Sequence, residues 1–277
     1  MVFEVVSCIK CSEMAGLPLI RRSETETERH GMQFDPPVYI QRYRTVRDIL
    51  EKEKIVKVID FGCAEGKFLR YIKKIETLEE IAAVDSQYSC LMDTRQIAAP
   101  IAWDFLFKRK RPLCIKLYEG SISDCDIRVA GFDAVTCIEL LEHLSDPELD
   151  RVPYTVFGYI QPRVAIFTTP NKDFNCLFPE LKGFRHWDHK FEWDRIEFRT
   201  WCLNVIKQFS NYTVDIFGIG EPPSESASLG CCSQLAVFRQ ILVNNHINWN
   251  DLKPDKETPY ILITEYIYPH EESLTEA

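Results

Sequence analysis

Two glutamates and a histidine directly follow an apolar run in the middle of the chain. Residues 132–138 are FDAVTCI, a β-branched run that predicts a buried parallel strand, and residues 139–143 are ELLEH. If the chain turns helical here, Glu139, Glu142 and His143 stand at i, i+3 and i+4 and project from one face. Because carboxylates and imidazoles bind divalent cations, we predict half of a metal site at the end of this strand.

The rest of the metal site is expected from residues 184–193, FRHWDHKFEW, where His186 and His189 are the candidates for a fourth ligand. Two carboxylate oxygens with two imidazoles suit Mg²⁺, Mn²⁺ or Fe²⁺ better than a structural zinc, which favours cysteine. The competing interpretation is a capped helix start with exposed carboxylates. Three further histidines lie in tail-like segments and rank lower: His30, His246 and His270.

A turn rich in small residues forms a second candidate site. Residues 60–66 are DFGCAEG, where small side chains admit a ligand to the backbone and the following helix offers unpaired N–H donors. Asp85 ends the next predicted strand 23 residues after Gly62, where a carboxylate can accept both hydroxyls of a ribose. We therefore expect a nucleoside-type cofactor, against the alternative of a tight turn and a surface aspartate.

Two classes of cofactor use such a turn, the dinucleotides and S-adenosylmethionine. The glycines are spaced GxxxG and lack the GxGxxG fingerprint that binds a pyrophosphate, so S-adenosylmethionine is the better candidate. The exit of the third predicted strand, Gly120-Ser121-Ile122 followed by Asp124, would then lie along the adenine.

Parallel strands separated by helices are needed to position these residues. Between residues 56 and 168, β-branched runs alternate with helix-length segments, which predicts an α/β sheet wound through right-handed βαβ units. The predicted strands are 56–62, 81–86, 114–122, 132–138 and 163–170. Predicted helices cover 65–74, 86–97, 140–160 and 195–209. Two closing strands are predicted over 212–220 and 232–240, and one more edge strand over 260–268.

Length and composition predict one large domain. The 277 residues are 45% hydrophobic and 27% charged, which is enough for one substantial core. We expect a flexible tail over 1–33, the domain over 34–270 and a C-terminal tail over 271–277. Cys8 and Cys11 resemble half of a zinc site, but no second pair at matching spacing follows nearby.

Charge and cysteine usage limit the classes of function. A formal net charge of −9 and a pI of about 5.3 argue against a broad groove that binds many phosphates along a nucleic acid. They do not argue against binding the end of a nucleic acid. The basic run 108–111 is interpreted as a solvated loop, with a phosphate-contacting patch or a nuclear address as alternatives. Eleven scattered cysteines indicate reduced thiols. Since the sequence shows neither a signal peptide nor a long apolar run, we expect a cytoplasmic protein without membrane contact.

Four segments together resemble one protein family. They are Asp60-Phe61-Gly62, the Glu-x-x-Glu-His of 139–143, the Thr-Pro-Asn of 169–171 followed by Phe174-Asn175, and the DHKFEW of 188–193. They look like the small-RNA 3′-terminal 2′-O-methyltransferases, and more narrowly like the animal enzymes that methylate Piwi-interacting RNAs. The resemblance covers about residues 34 to 240. It is specific because generic methyltransferases lack both Glu-x-x-Glu-His and DHKFEW.

The resemblance implies a Rossmann-like class I S-adenosylmethionine-dependent methyltransferase sheet with flanking helices and an antiparallel edge strand. It implies one divalent cation, Mg²⁺ or Mn²⁺, at a catalytic centre made of Glu139, Glu142, His143 and His189. S-adenosylmethionine would be held by Asp60, Gly62, Gly66 and Asp85, with Ser121 near the adenine. Ala64 stands where the family usually has glycine, which matters only if that position needs a positive φ.

The implied substrate is the 3′ end of a single-stranded small RNA, carried by a Piwi-class protein in the cytoplasm, with RNA granules as one location there. In an unmodified RNA only the 3′-terminal ribose has both its 2′ and its 3′ hydroxyl free, so a metal that chelates both selects the end. His143 or His189 would act as the base or only as a ligand. Arg42 and Arg185 are candidates for the terminal phosphates and Phe174 for stacking, with surface arginines or a core phenylalanine as the alternative.

Two other functions compete with this one. The first is a metal-dependent O-methyltransferase for small vicinal diols, against which the aromatic and basic residues between 174 and 193 count. The second is a non-catalytic module that binds RNA ends or a Piwi-class partner. The complete acidic and histidine set counts against that module, because burying carboxylates without a cation is costly.

Overall fold

One sheet of eight strands positions the predicted sites. The computed structural model describes residues 33–241 and 257–271. Numbered along the chain, the strands are β1 Lys57–Phe61, β2 Glu80–Asp85, β3 Leu113–Glu119, β4 Ala134–Ile138, β5 Val164–Pro170, β6 Tyr212–Ile219, β7 Ser233–Gln240 and β8 Ile261–Tyr268. Across the sheet their order is β6-β7-β5-β4-β1-β2-β3-β8.

Five parallel strands form the centre of the sheet, as the sequence predicts. β1 pairs with β2 and β4, β2 pairs with β3, and β4 pairs with β5, all in parallel. Every residue of β5 is buried, because the strands of a parallel sheet are covered on both faces. The carboxyl ends of β4, β1 and β2 lie side by side, which brings Glu139, Asp60 and Asp85 to one edge of the sheet.

Three further strands run antiparallel to their neighbours. β7 pairs with β5 and β6 pairs with β7, while β8 pairs with β3 at the opposite side of the sheet. The two closing strands and the additional edge strand predicted from the sequence are therefore confirmed. Their bounds differ from the predicted ones by one residue at most.

Helices flank the sheet, and two of them were not predicted. In the described residues the α-helices are α1 Val38–Lys52, α2 Leu69–Ile72, α3 Tyr88–Ala98, α4 Ala102–Leu106, α5 Asp146–Pro153 and α6 Arg195–Gln208. The predictions over 86–97 and 195–209 match α3 and α6, whereas α1 and α4 are new. The helix predicted over 65–74 is shortened to α2, because Gly66 has a φ of +73°, outside the helical region.

The helix predicted over 140–160 is divided into three pieces. A single 3₁₀ turn spans Leu141–His143, α5 follows it, and a π-helix spans Tyr154–Ile160. Ser145 starts α5 with a capping box, which separates that helix from the turn before it. Pro153 lacks an N–H and so interrupts regular α-helical bonding at the end of α5. The short turn therefore carries Glu142 and His143, whereas Glu139 precedes it with a φ of +52°, outside the helical region. The prediction that these three residues project from one face of a helix is wrong.

The basic run 108–111 is not a uniformly solvated loop. Arg109 is buried, and its guanidinium donates hydrogen bonds to the backbone oxygens of Lys73 at 2.8 Å, Ile75 at 2.8 Å and Leu78 at 3.1 Å. Its neighbours in the run are exposed. The solvated-loop interpretation is therefore wrong for Arg109, which fixes the start of β3 to the rest of the domain.

Two apolar clusters cover the two faces of the sheet. One includes Val46 and Leu50 of α1, and the other includes Phe157 together with Phe198 of α6. Over residues 33–241 and 257–271, no helix has the length and apolar character needed to cross a membrane.

Some predictions concern residues outside the described ranges. They include the tails over 1–33 and 271–277, except for their innermost residues Gln33 and Glu271. The cysteine pair Cys8 and Cys11 and the histidines His30 and His246 also lie outside the described residues.

Candidate active site

The turn after β1 is held by the backbone and by Asp85. Gly62 N donates to Val84 O at 2.9 Å, and Ala64 N donates to Asp85 Oδ2 at 2.9 Å. Gly62 and Gly66 have φ angles of +71° and +73°, which favour glycine. The structure therefore joins the predicted glycine turn directly to the predicted ribose-binding aspartate.

Ala64 occupies a position that does need a positive φ. Its φ is +45°, in the left-handed region that strains any residue with a Cβ. Thr94 Oγ1 donates to Ala64 O at 2.6 Å and fixes this conformation. The departure from glycine in this chain therefore has a structural cost.

Asp60 is a buried carboxyl at the floor of the site. It is 3% exposed, and Thr136 Oγ1 on the neighbouring β4 donates to its Oδ1 at 2.7 Å. Burial raises the pKa of Asp60 to about 7, although the Thr136 hydrogen bond acts in the opposite direction. A cationic ligand beside this carboxyl would favour its charged form.

One cleft of about 230 Å³ connects the two predicted sites. Gly62 and Cys63 of the turn line one part of it, and Glu139, His143 and His186 line another. A cofactor and a second molecule held in this space would meet at close range, as group transfer requires. The lining also contains side chains that the sequence did not single out: Tyr43, Lys67 and Phe68.

Glu139 leaves β4 in a left-handed conformation with a φ of +52°. Its backbone N donates to Thr168 O at 3.0 Å, which holds the residue against β5. Its carboxylate accepts a hydrogen bond from Ser233 Oγ at 2.8 Å and forms an ion pair with Arg42 Nη1 at 3.2 Å. Arg42, a candidate for the RNA phosphates, thus lies in the cleft but is paired with a predicted metal ligand.

Glu142 is completely buried and connects the two histidine-bearing segments. Thr169 Oγ1 donates to its Oε2 at 3.1 Å, and Lys190 N donates to its backbone O at 2.8 Å. The second bond attaches the DHKFEW segment to the 3₁₀ turn that carries His143. The two segments are thereby joined, although more than forty residues separate them in the sequence.

Three imidazoles cluster between these segments. The ligand nitrogens of His143, His186 and His189 all lie within 4.8 Å of one another. Burial lowers the pKa of His143 from its ordinary value, and the neighbouring His189 lowers it further. A lowered pKa favours the neutral imidazole, which is the form that binds a metal ion or accepts a proton.

Carboxylates orient two of the three imidazoles. His143 Nδ1 lies 3.1 Å from Asp188 Oδ2, and His189 Nδ1 lies 2.7 Å from Glu192 Oε1. Carboxylate–histidine pairs of this kind fix the ring and leave Nε2 for a metal. No role for Asp188 or Glu192 was predicted from the sequence, although they lie one and three residues from His189.

The donor set fits a divalent cation. By residue type, two carboxylates and two oriented imidazoles suit Mn²⁺ and Fe²⁺, and the oxygens also suit Mg²⁺. Among the described residues, the group whose ligand atoms lie close enough to share one ion consists of His143, His186 and His189 and does not include Glu139 or Glu142. Burying the carboxylate of Glu142 is costly unless a positive charge lies nearby, and a bound cation would provide one. In the structure the carboxylate of Glu139 is turned toward Arg42 and Ser233.

Two of the predicted RNA contacts are buried in the core. Phe174 is 0% exposed and packs on Phe34 and Phe178. Arg185 is 7% exposed, and its guanidinium donates to Cys232 O at 2.9 Å and lies over the ring of Phe178. The prediction of stacking by Phe174 and phosphate binding by Arg185 is therefore wrong, because neither side chain is available to a ligand. The alternative of a core phenylalanine is the one observed.

Ser121 follows β3 at the same edge of the sheet. Its Oγ lies 2.9 Å from Ser123 Oγ, and Tyr260 Oη donates to its backbone O at 3.1 Å. Ser121 does not line the cleft itself. Ser121 follows the pair of Asp85 and Glu119 by two residues, and its role near the adenine stays a prediction.

Comparisons with known proteins agree with this geometry. The sequence model of a methyltransferase domain matches residues 38–212. The chain is 41% identical over 261 residues to the small RNA 2′-O-methyltransferase of Drosophila melanogaster, covering 89% of this chain and 67% of that protein. It is 39% identical over 236 residues to the small RNA 2′-O-methyltransferase of Xenopus tropicalis, covering 85% and 63%. The chain thus spans roughly two thirds of the length of these relatives.

A solved structure shows the same fold. The crystal structure of the small RNA methyltransferase HEN1 superposes with a TM-score of 0.70 at 28% identity. The superposition covers 86% of this chain and 28% of that one. The predicted class I methyltransferase sheet is confirmed by this match and by the strand order.

Proposed function

Because the chain belongs to the family of small RNA 2′-O-methyltransferases, we propose that it methylates the 2′ hydroxyl of the 3′-terminal nucleotide of a small RNA. One observation carries the proposal at the level of atoms. The glycine turn after β1 and the polar residues after β4 open into the same cleft. A methyl donor and a terminal ribose are thereby held next to each other.

S-adenosylmethionine supplies an electrophilic methyl group on a positively charged sulfur. The tight turn at Gly62 and Gly66 lets it approach the backbone. Asp85, which accepts a hydrogen bond from Ala64 N of this turn, is the residue proposed to accept hydrogen bonds from its ribose. Asp60 adds a buried carboxyl that becomes charged near neutral pH. Together these residues bind and orient the cofactor without a pyrophosphate site.

We further propose that Glu139, Glu142, His143 and His189 hold one Mg²⁺ or Mn²⁺ ion. Such an ion, when bound, supplies Lewis-acid chemistry that favours a ribose with adjacent free hydroxyls and makes the 2′ hydroxyl more acidic. Asp188 and Glu192 orient the two imidazoles toward this role. His143 is held in its neutral form and is thus competent as a ligand or as a proton acceptor.

The substrate proposed for the site is a single-stranded RNA of the Piwi-interacting class, brought by a Piwi-class protein in the cytoplasm or its RNA granules. The resemblance of the ELLEH and DHKFEW segments to the animal enzymes supports this substrate. The net charge of −9 also favours recognition of an end over binding along a duplex.

Methyl transfer to defined RNA ends tests the proposal. The protein is incubated with labelled S-adenosylmethionine, Mn²⁺ and single-stranded RNAs that end in a 2′,3′-dihydroxy or a 2′-deoxy ribose. We expect label only in the dihydroxy RNA and no transfer after chelation of the metal. Equal labelling of both RNAs would contradict the assigned position of methylation.

Two isosteric variants distinguish the loss of a metal ligand from a nonspecific effect of a Glu→Gln substitution. Glu142→Gln keeps the size of the buried side chain and removes its charge, so transfer is expected to fall by at least about a hundredfold. Glu51→Gln changes an exposed residue of α1 and is expected to keep full activity. Full activity of Glu142→Gln would rule out its role as a metal ligand.

A further inference from the structure

Trp187 is exposed to an unusual degree. At 88% exposure it is the most exposed large apolar side chain in the part of the chain that the structure describes. An indole is rarely left in water, because burying it is strongly favourable. Its position therefore points to a ligand that covers the ring.

The backbone around Trp187 is held on both sides. Arg185 N donates to Glu192 Oε1 at 2.6 Å, and the Arg185 side chain is anchored in the core. On the other side, His189 N donates to His186 O at 3.2 Å. The loop thus presents the indole from a fixed frame, which lowers the entropic cost of binding a ligand.

The neighbouring His186 faces the reaction site. Its ring lines the cleft and lies 5.4 Å from the ring of Trp187, centroid to centroid. Its Nδ1 accepts a hydrogen bond from Asp188 N at 3.3 Å, so in the neutral ring the proton resides on Nε2. In this tautomer His186 Nε2–H can donate to an oxygen atom of a ligand, whereas the Nδ1 atoms of His143 and His189 contact carboxylates.

We propose that Trp187 and His186 form the subsite for the 3′-terminal nucleotide, in which the indole stacks on the base and His186 Nε2–H donates to a phosphate oxygen. This inference rests on the proposed function, because it assumes an RNA end in the cleft. It assigns to Trp187 the stacking role that the buried Phe174 cannot perform.

RNA fits this surface better than a protein partner does. A flat ring beside a hydrogen-bond donor matches the two parts of a nucleotide, its base and its phosphate. Trp187 is also adjacent in sequence to His186, which lines the cleft, and the two rings are 5.4 Å apart, so a nucleotide that enters the cleft can reach the indole. Stacking tolerates any base, which suits a site that acts on the ends of many RNAs.

An RNA-binding experiment without turnover tests the subsite. Fluorescence anisotropy measures the binding of a 5′-labelled single-stranded RNA in the presence of Mn²⁺ and S-adenosylhomocysteine. Trp187→Ala is expected to weaken binding about tenfold, and Trp187→Phe to recover most of the loss. Trp103→Ala is the matched control, because Trp103 is 62% exposed on α4 and is not among the residues that line the cleft. Unchanged binding by Trp187→Ala would overturn the proposal.

An RNA that lacks its 3′-terminal base identifies the contact. If the indole stacks on that base, Trp187→Ala and wild type bind the abasic RNA equally, as a double-mutant cycle requires. An equal loss on both RNAs would overturn base stacking and would point to a contact elsewhere.

His186 is tested by separating RNA affinity from metal affinity. His186→Ala is expected to weaken RNA binding several-fold while Mn²⁺ binding, measured by calorimetry without RNA, stays at the wild-type value. Loss of Mn²⁺ binding would overturn the donor role and make His186 a metal ligand. If the wild-type protein transfers no methyl group to any RNA, the proposed function is refuted. If the wild-type protein transfers the methyl group and Trp187→Ala has the same KM for RNA, only the subsite is refuted.

Discussion

Arg42 and Glu139 form an ion pair across the cleft, with Arg42 Nη1 3.2 Å from Glu139 Oε2. Both side chains are largely buried, at 15% and 16% exposure, so solvent screens the pair only weakly. The guanidinium therefore competes with any cation for the same carboxylate.

Removing this competition is expected to tighten metal binding. Arg42→Gln should bind Mn²⁺ roughly tenfold more tightly, about 1.4 kcal/mol, because a positive charge beside the ligand is lost. Arg42→Lys keeps the charge and should bind Mn²⁺ like wild type. Calorimetric titration without RNA measures both, and weaker binding by Arg42→Gln would mean that Arg42 orients Glu139 for the ion.

The alanine in the cofactor turn predicts a stabilising substitution. Ala64 has a φ of +45°, so Ala64→Gly should relieve about 1 kcal/mol of strain and raise the midpoint of thermal unfolding by about 2–4 °C. Gly66→Ala should do the reverse, since its φ is +73° and a Cβ would lie 2.8 Å from Thr94 Cγ2. A lower midpoint for Ala64→Gly would show that the turn is not strained.

Asp60 is expected to make stability depend on pH. Burial raises the pKa of its folded carboxyl from 3.8 to about 7, so the folded state binds the proton more tightly than the unfolded state. The contribution of Asp60 to the free energy of unfolding therefore falls as the pH rises from 4 to 7, by at most about 1.4 kcal/mol per pH unit. Urea unfolding of wild type and Asp60→Asn across this range measures it. The free energy of unfolding of Asp60→Asn should increase relative to that of wild type as the pH rises. A difference between the two proteins that stays constant with pH would contradict the raised pKa.

The same carboxyl links cofactor binding to pH. The cofactor is cationic at its sulfur, so its affinity should increase as Asp60 loses its proton near pH 7. Calorimetry in buffers of different ionisation enthalpy should detect proton release on binding. Asp60→Asn should bind without releasing this proton, and equal release by both proteins would assign the proton to another group.

Glu192 is expected to control metal affinity without touching the ion. Its Oε1 lies 2.7 Å from His189 Nδ1, so Glu192→Gln should weaken Mn²⁺ binding about tenfold by loosening the ligand. Glu197→Gln, which alters the cap of α6, is the control with unchanged affinity. Wild-type Mn²⁺ affinity in Glu192→Gln would exclude His189 as an oriented ligand.

Arg185 is expected to act on stability. Its buried guanidinium binds the backbone oxygen of Cys232 and contacts Asn175, geometry that a lysine cannot reproduce. Arg185→Lys should lower the free energy of unfolding by about 3 kcal/mol in urea, while Arg199→Lys on the exposed face of α6 should have little effect. Wild-type stability of Arg185→Lys would contradict this structural role of the guanidinium.

The sequence by itself determined the features that depend on neighbouring residues. Apolar runs predicted the central strands within a few residues of their bounds, and GxxxG with Asp85 predicted the turn and its partner. Residue type and spacing in ELLEH predicted metal ligands, and the family resemblance of DHKFEW added His189 to them; the metal site stays a prediction. Such signals are local, so they survive without knowledge of the fold.

Only the tertiary structure decided which polar and aromatic residues face the cleft. Phe174 and Arg185 have the types expected of RNA contacts, yet packing buries them, while Trp187 beside them is exposed. Glu139 and Arg42 come from distant parts of the chain, and no local pattern predicts that they pair. Burial and pairing depend on contacts between elements remote in sequence, which is the physical reason that the sequence alone could not assign them.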